Sequence, residues 1–132
     1  MRNVVLIGIV LLTAGCSGPF FMLPGGALKG PLADSAWPAR EAEGVIQLET
    51  NPAAPYSVNV GFRLIGGSVY VDPAEERRWY RYIADDARIR IRFDGEKAIY
   101  AARAVVEDDG AVLAQFEENR IVLRLVPDAA RL

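Results

Sequence analysis

The most regular pattern in the chain is the alternation from Tyr56 to Ile65. Tyr56, Val58, Val60, Phe62 and Leu64 fall on one side, and Ser57, Asn59, Gly61, Arg63 and Ile65 on the other. A period of two with β-branched and aromatic residues predicts a strand. Gly66-Gly67 supplies the positive φ of a two-residue hairpin, and Ser68–Val71 returns antiparallel. The alternation recurs without a fault in Arg88–Phe93: Ile89, Ile91 and Phe93 face a core, and Arg88, Arg90 and Arg92 share the opposite face. Asp94-Gly95 reads as a tight hairpin leading into a strand over residues 97–106, where Ala98, Tyr100, Ala102, Ala104 and Val106 share a face. Three alanines on one face suit a close contact with a helix or a second subunit. Between the hairpins, residues 72–86 read as a helix. Asp72 can cap, Pro73 fits the first helical position, and Glu75 can reach back. Trp79 and Ile83 lie one turn apart with Tyr82 beside them, and Arg77, Arg78 and Arg81 fall on or near the other face. Residues 45–50 read as the first strand, and Asn51-Pro52-Ala53-Ala54-Pro55 as a loop. Residues 111–116 fit either a short strand or a helical turn. Residues 120–126 alternate again as the last strand, which Pro127 ends.

The N-terminus has a different grammar. A short start with one arginine is followed by an apolar run to Leu12, then Thr13-Ala14-Gly15-Cys16. That is the form of an export signal, and the run is too short to span a bilayer. The small residues before the cysteine resemble a bacterial lipobox, except that Thr13 stands where leucine is usual. The resemblance implies cleavage before Cys16 and lipid attachment to it. The alternatives are a plain secretory signal or a buried N-terminal strand, with Cys16 free. Ser17, by resemblance to Gram-negative lipoproteins, implies the periplasmic face of the outer membrane if the host is Gram-negative. Residues 17–38 are rich in Gly and Pro and read as a tether. Phe20-Phe21-Met22-Leu23 interrupts it; such a cluster belongs on the folded domain or at a membrane surface, and packing on the domain is the commoner fate. Trp37 is placed to dock similarly. The division is residues 1–15 as signal, 16–44 as acylated cysteine and tether, 45–127 as the domain, and 128–132 as a tail.

Composition narrows the chemistry. At 132 residues the chain holds one domain. A net charge of -2 gives no basic footprint for nucleic acid. Without histidine there is no Ser-His-Asp or Cys-His set, and one cysteine excludes an intrachain disulfide and a thiolate metal cluster. Asp85-Asp86 and Asp108-Asp109 lack the ligand spacing of a cation loop, so no metal site is expected.

The order of elements resembles the split β-barrel proteins related to pyridoxamine-phosphate oxidase, and within them the deazaflavin-dependent nitroreductase-like branch. The residues that carry the resemblance are 45–50, Tyr56–Val60, Trp79-Tyr80, Ile83-Ala84-Asp85-Asp86-Ala87-Arg88 and Phe93-Asp94-Gly95. It implies a mainly β (α+β) fold, a small antiparallel split barrel of about six or seven strands with one main helix beside it. It also implies a homodimer and a groove for FMN or a deazaflavin. In the branch resembled, the loop after the first strand carries phosphate-binding cations; here that loop has none, and two of its five residues are proline.

The ligand-binding candidates are Arg63, Arg88, Arg90 and Arg92 for an anion, and Trp79, Tyr80 and Tyr82 for a flat ring. Each has a plainer reading: an outer sheet face pairs with nearby acids such as Asp94, Glu96 and Glu107, and a helix stripe with Trp is usually core. No catalytic residue is singled out. Three functions follow. The first is a membrane-anchored envelope module that binds a ligand or partner without catalysis. The second, implied by the resemblance, is a flavin- or deazaflavin-dependent oxidoreductase, whose cofactor would carry the chemistry. The third is a structural envelope protein. The lost cationic loop and the export signal favour the first.

Overall fold

Residues 25–128 are described by the computed structural model of the chain. The signal, Cys16, the cluster at residues 20–23 and the last four residues lie outside them. Six strands close an antiparallel barrel: β1 (Glu43–Thr50), β2 (Tyr56–Ile65), β3 (Ser68–Val71), β4 (Arg88–Phe93), β5 (Tyr100–Val106) and β6 (Leu123–Pro127). Around the barrel the order is β1-β2-β3-β6-β5-β4, and β4 pairs back onto β1. Two helices complete the fold, α1 (Arg78–Asp85) beside the barrel and the single turn α2 (Gly110–Leu113). The alternation seen in sequence sorts the side chains. Ile46, Leu48, Val69, Val71, Ile89, Ile91, Leu123 and Leu125 are buried inside. Ala102 and Ala104 of β5 also face this core, so the small side chains make room for the branched residues of the facing strands rather than for a second subunit.

The β2–β3 hairpin has the expected turn. Gly66 and Gly67 take φ of 56° and 82°, Ile65 pairs with Ser68, and the mirror-image turn matches the strand twist. Several elements differ from expectation: β1 begins at Glu43 instead of residue 45, and β6 spans Leu123–Pro127 instead of residues 120–126, with Pro127 inside the strand opposite Ala102 because the register with β5 carries it there. The helix begins at Arg78 instead of Asp72, because Pro73 is buried and a turn closed by Arg77 N–H on the Ala74 carbonyl (3.0 Å) intervenes. Arg77 at the N-cap is extended and offers no capping side chain, so the short helix is held by docking Trp79 and Ile83 into the core. Next, β5 begins at Tyr100 instead of residue 97. Gly95 does form a turn (φ 79°), but Arg92 and Phe93 pair with β1, and Ile99 bonds instead to the segment before β1. Last, residues 111–116 resolve as a helical turn, capped by the Asp109 carboxylate, which accepts from Ala111 N–H at 2.9 Å.

That segment before β1 is a strap across the outer face of β1 and β4. Gly25 bridges to Ser57, and the Ile99 N–H and carbonyl bond to Pro31 and Ala33 at 2.9 and 2.8 Å. Trp37 sets its ring edge-on to Phe93 and Tyr100, each at 5.9 Å between centroids. Arg40 lies over the Phe93 ring and grips Glu96 with two nitrogens. The strap is fixed by Glu49, whose side chain is only 7% exposed. Its carboxylate accepts from Leu28 N–H (2.7 Å) and from Arg90 Nε (2.9 Å) and NH2 (3.0 Å), and Arg90 also donates to the Leu28 carbonyl.

Replacing Glu49 by Ala strands the buried Leu28 N–H and removes the partner of the half-exposed Arg90 guanidinium, so Glu49→Ala should lower unfolding stability by about 1–3 kcal/mol in urea melts. Thr50→Ala, which loses one bond to the Tyr56 carbonyl, should cost about 1 kcal/mol. Asp86 supplies a pH marker. Hydrogen bonds from the Arg88 side chain and backbone hold its carboxyl at about 2, against 3.8 unfolded. A depressed carboxyl stabilises above its unfolded value and loses that contribution as pH falls through the folded one. The Asp86 share of stability should therefore fade between about 3.8 and about 2, and Asp86→Asn should flatten that part of a stability–pH curve.

Candidate functional site

The arginine face of β4 is present, and it is already occupied. Arg90 is held by Glu49 and the strap. Arg92 donates to Gln47 Oε1 (2.6 Å) and to the Lys29 carbonyl (2.7 Å). Arg88 forks onto the Asp86 carboxylate (2.6–3.2 Å), which raises the Arg88 guanidinium in turn. Their partners are Glu49, Gln47 and Asp86; of the acids that sequence reading suggested, Glu96 pairs with Arg40 and Glu107 lies 3.6 Å from Arg124. Trp79 is buried in the core, Tyr80 packs half-buried against that core, and Tyr82 meets Tyr56 at 5.4 Å between centroids. The structure therefore does not bring the three tyrosine and tryptophan rings and the three β4 arginines into one site.

Arg63 lies elsewhere, on a concavity beside β2. β2 pairs with β3 only over Arg63–Ile65, and among the described residues Gly25 bridges to Ser57 nearer its start. Facing this stretch of β2 is the connection from Val71 through the start of α1, and between them lies a groove of about 1050 Å³. Val58, Val60 and Phe62 line it from β2, and Tyr70 and Pro73 from the opposite wall. Five arginines reach it, Arg63, Arg77, Arg78, Arg81 and Arg120, against the acids Glu43, Asp72 and Glu76. Arg63 lies over the Phe116 ring (4.7 Å) and donates to the Gln115 carbonyl (2.5 Å). Arg78 approaches the Tyr56 ring at 5.6 Å, and Arg120 makes a long contact to Glu117 (3.4 Å). Burial raises the Tyr70 phenol, and the neighbouring Glu107 carboxylate raises it further against the pull of Ser68 and Arg124, so Tyr70 stays a proton donor near neutrality. Among the described residues, no serine, threonine, cysteine or histidine lines the groove.

Arg77, Arg78 and Arg81 were legible in sequence as the polar face of a helix, but their position beside β2 was not. Their clustering just after a strand was the one usable signal. Arg120 and Phe116 come from the α2 region, whose placement no periodicity reveals. For an anionic group the groove arginines are suitable donors. For a flavin mononucleotide the fit is partial. The rim can meet its phosphate, but Trp79 lies in the core and Tyr82 packs on Tyr56, so the rings expected to stack on it are engaged.

Comparison with known proteins bears on the fold. No family model matches the chain, and no curated protein matches it in sequence. Among solved structures it is similar to a Listeria innocua protein described as a pyridoxamine 5′-phosphate oxidase, with a TM-score of 0.54 and 14% identity. The match covers 64% of this chain and 83% of that one. At that identity the likeness speaks for architecture alone: the chain has a split barrel like that of a pyridoxamine 5′-phosphate oxidase-like protein.

Proposed function

We propose that the chain is a lipid-anchored envelope protein whose barrel binds an anionic, phosphate-bearing ligand in the groove beside β2 and does not transform it. The observation that carries the binding half is the division between two sets of arginines. Those of β4 already donate to Glu49, Gln47, Asp86 and strap carbonyls. Those at the start of α1 are exposed at the groove, where Arg77 and Arg81 make no side-chain hydrogen bond or ion pair among the described residues. Charged donors left open to an anion gain more from a ligand than donors already paired. The anchoring half rests on Cys16 at the end of the export-type segment. Gly25, nine positions later, is bonded to Ser57, so the barrel sits within about 30 Å of the acylated residue.

Two measurements test this. Labelled palmitate should be incorporated into the wild-type chain and lost in Cys16→Ser; incorporation unchanged by that substitution contradicts the anchor. The detergent-purified protein should bind FMN saturably, and inorganic phosphate should compete. Arg77→Ala combined with Arg81→Ala should weaken FMN by about 10–100-fold, the worth of one or two charged hydrogen bonds. No saturation at millimolar FMN or phosphate, or affinity that survives the double change, contradicts the site. Oxidation of NADPH by the FMN-loaded protein would contradict the non-catalytic reading and make it an oxidoreductase.

A further inference from the structure

A closed barrel seals the inward-facing positions of its strands. On β1 it does so: Ile46 and Leu48 are 0% exposed. Their cross-strand partners on β2 are Val60 and Val58, which therefore share the same inward face. Both valines pack against the core, yet both are left half-buried. Tyr56, the next inward position, is half-buried as well. All three line the groove, and so do the buried side chains of Trp79 and Val71. The groove is thus a slot into the inside of the barrel, and from Tyr56 to Val60 it runs about 13 Å along the strand.

The cations stand at one end of that slot. Arg78 approaches the Tyr56 ring at 5.6 Å, beside the first of the three open positions, and Arg77 and Arg81 line the same wall. We propose that the ligand of this groove is a single-chain amphiphile, with its phosphate head at the α1 arginines and its alkyl chain laid along Val58 and Val60. This rests on the anion-binding reading above and names the class of ligand. Three observations favour a chain over a flat ring. Valine side chains are branched and offer no flat face for stacking. Tyr56, the half-buried ring of the slot, is already met edge-on by Tyr82 and approached by Arg78. The volume of about 1050 Å³ is at the upper end for sites that hold whole organic ligands, far beyond what a phosphate alone fills. Water in the remainder would leave Val58 and Val60 wetted, whereas an alkyl chain removes both them and itself from water. A flat bilayer surface would meet the arginine rim without filling the slot.

The experiment uses the full-length chain in a steroidal detergent, which offers no alkyl chain of its own. Inorganic, butyl, hexyl and octyl phosphate are bound by equilibrium dialysis, against protein-free micelles as the blank. Each methylene fully covered by the groove is worth about fourfold in affinity, and half-coverage about twofold. Octyl phosphate should therefore bind at least about tenfold more tightly than butyl phosphate. Arg77→Ala combined with Arg81→Ala should weaken octyl phosphate by the same factor as inorganic phosphate, since the head occupies one place in both. Val58→Thr combined with Val60→Thr should lower the octyl-to-butyl ratio at least about threefold, because a hydroxyl in the slot costs the chain part of its burial. The chain-length series needs no variant to fold. Phosphate binding with no gain from butyl to octyl overturns this inference and leaves the anion site standing. Failure of every phosphate to bind, or octanol binding as tightly as octyl phosphate, overturns both. Octyl phosphate affinity untouched by the arginine changes, or a ratio untouched by the valine changes in a folded barrel, overturns the placement. So does binding to vesicles of anionic lipid with none to free octyl phosphate.

Discussion

The buried carboxylate of Glu49 is the constraint on which the arrangement of this protein depends. A charge on the outside of a sheet normally stays in water, and here it is covered. Its two oxygens are met by the Leu28 N–H and by the Arg90 guanidinium, so burial is compensated by three charge-assisted bonds. The same contacts pin the strap over β1 and β4, and they remove Arg90 from the surface charges that a ligand could find. Strap, sheet and the quiet β4 face are therefore one device. The barrel seam that joins β1 to β4 runs directly beneath it, with Glu49 opposite Arg90 in the ladder.

The second consequence lies across the barrel. β3 is short, so it covers only the end of β2, and the chain must then travel from Val71 to reach the place where Trp79 and Ile83 dock. The gap between that excursion and β2 is the groove. Three of its five arginines come from the start of α1 because the helix buries Trp79 and Ile83 and so turns Arg77, Arg78 and Arg81 outward. The split in the barrel, the position of the helix and the charge at the groove thus follow from one short strand and one apolar stripe. Near its start, β2 pairs on that side with Gly25 through Ser57.

Most of the fold was legible because period-two alternation is a strong signal. β2, β3 and β4 begin and end where their patterns do, and the glycine pair between β2 and β3 adopts the conformation that its chemistry dictates. The failures share a cause: local grammar was overruled by a distant partner. Asp72-Pro73 reads as a helix start, but Pro73 is needed in the packing beneath. Residues 97–99 read as strand, but the strap reaches Ile99 first. The site was less legible than the fold. Alternation correctly put Arg88, Arg90 and Arg92 on one outer face, yet it cannot say that a segment some sixty residues earlier covers that face. Trp79 followed the plainer of its two readings, as core. Of the candidates, Arg63 and the buried Trp79 line the groove, Arg63 because its strand neighbour begins there.

The account's central claim is that anion recognition belongs to the α1 end of the groove and not to the arginine strand. The most direct measurement is a titration of the isotope-labelled protein with inorganic phosphate, following the arginine side-chain Nε–H resonances by NMR. The account predicts that Arg77, Arg78 and Arg81 shift together along one saturable curve while Arg90 and Arg92 stay still. Shifts at Arg90 and Arg92 with none at the α1 arginines would contradict it.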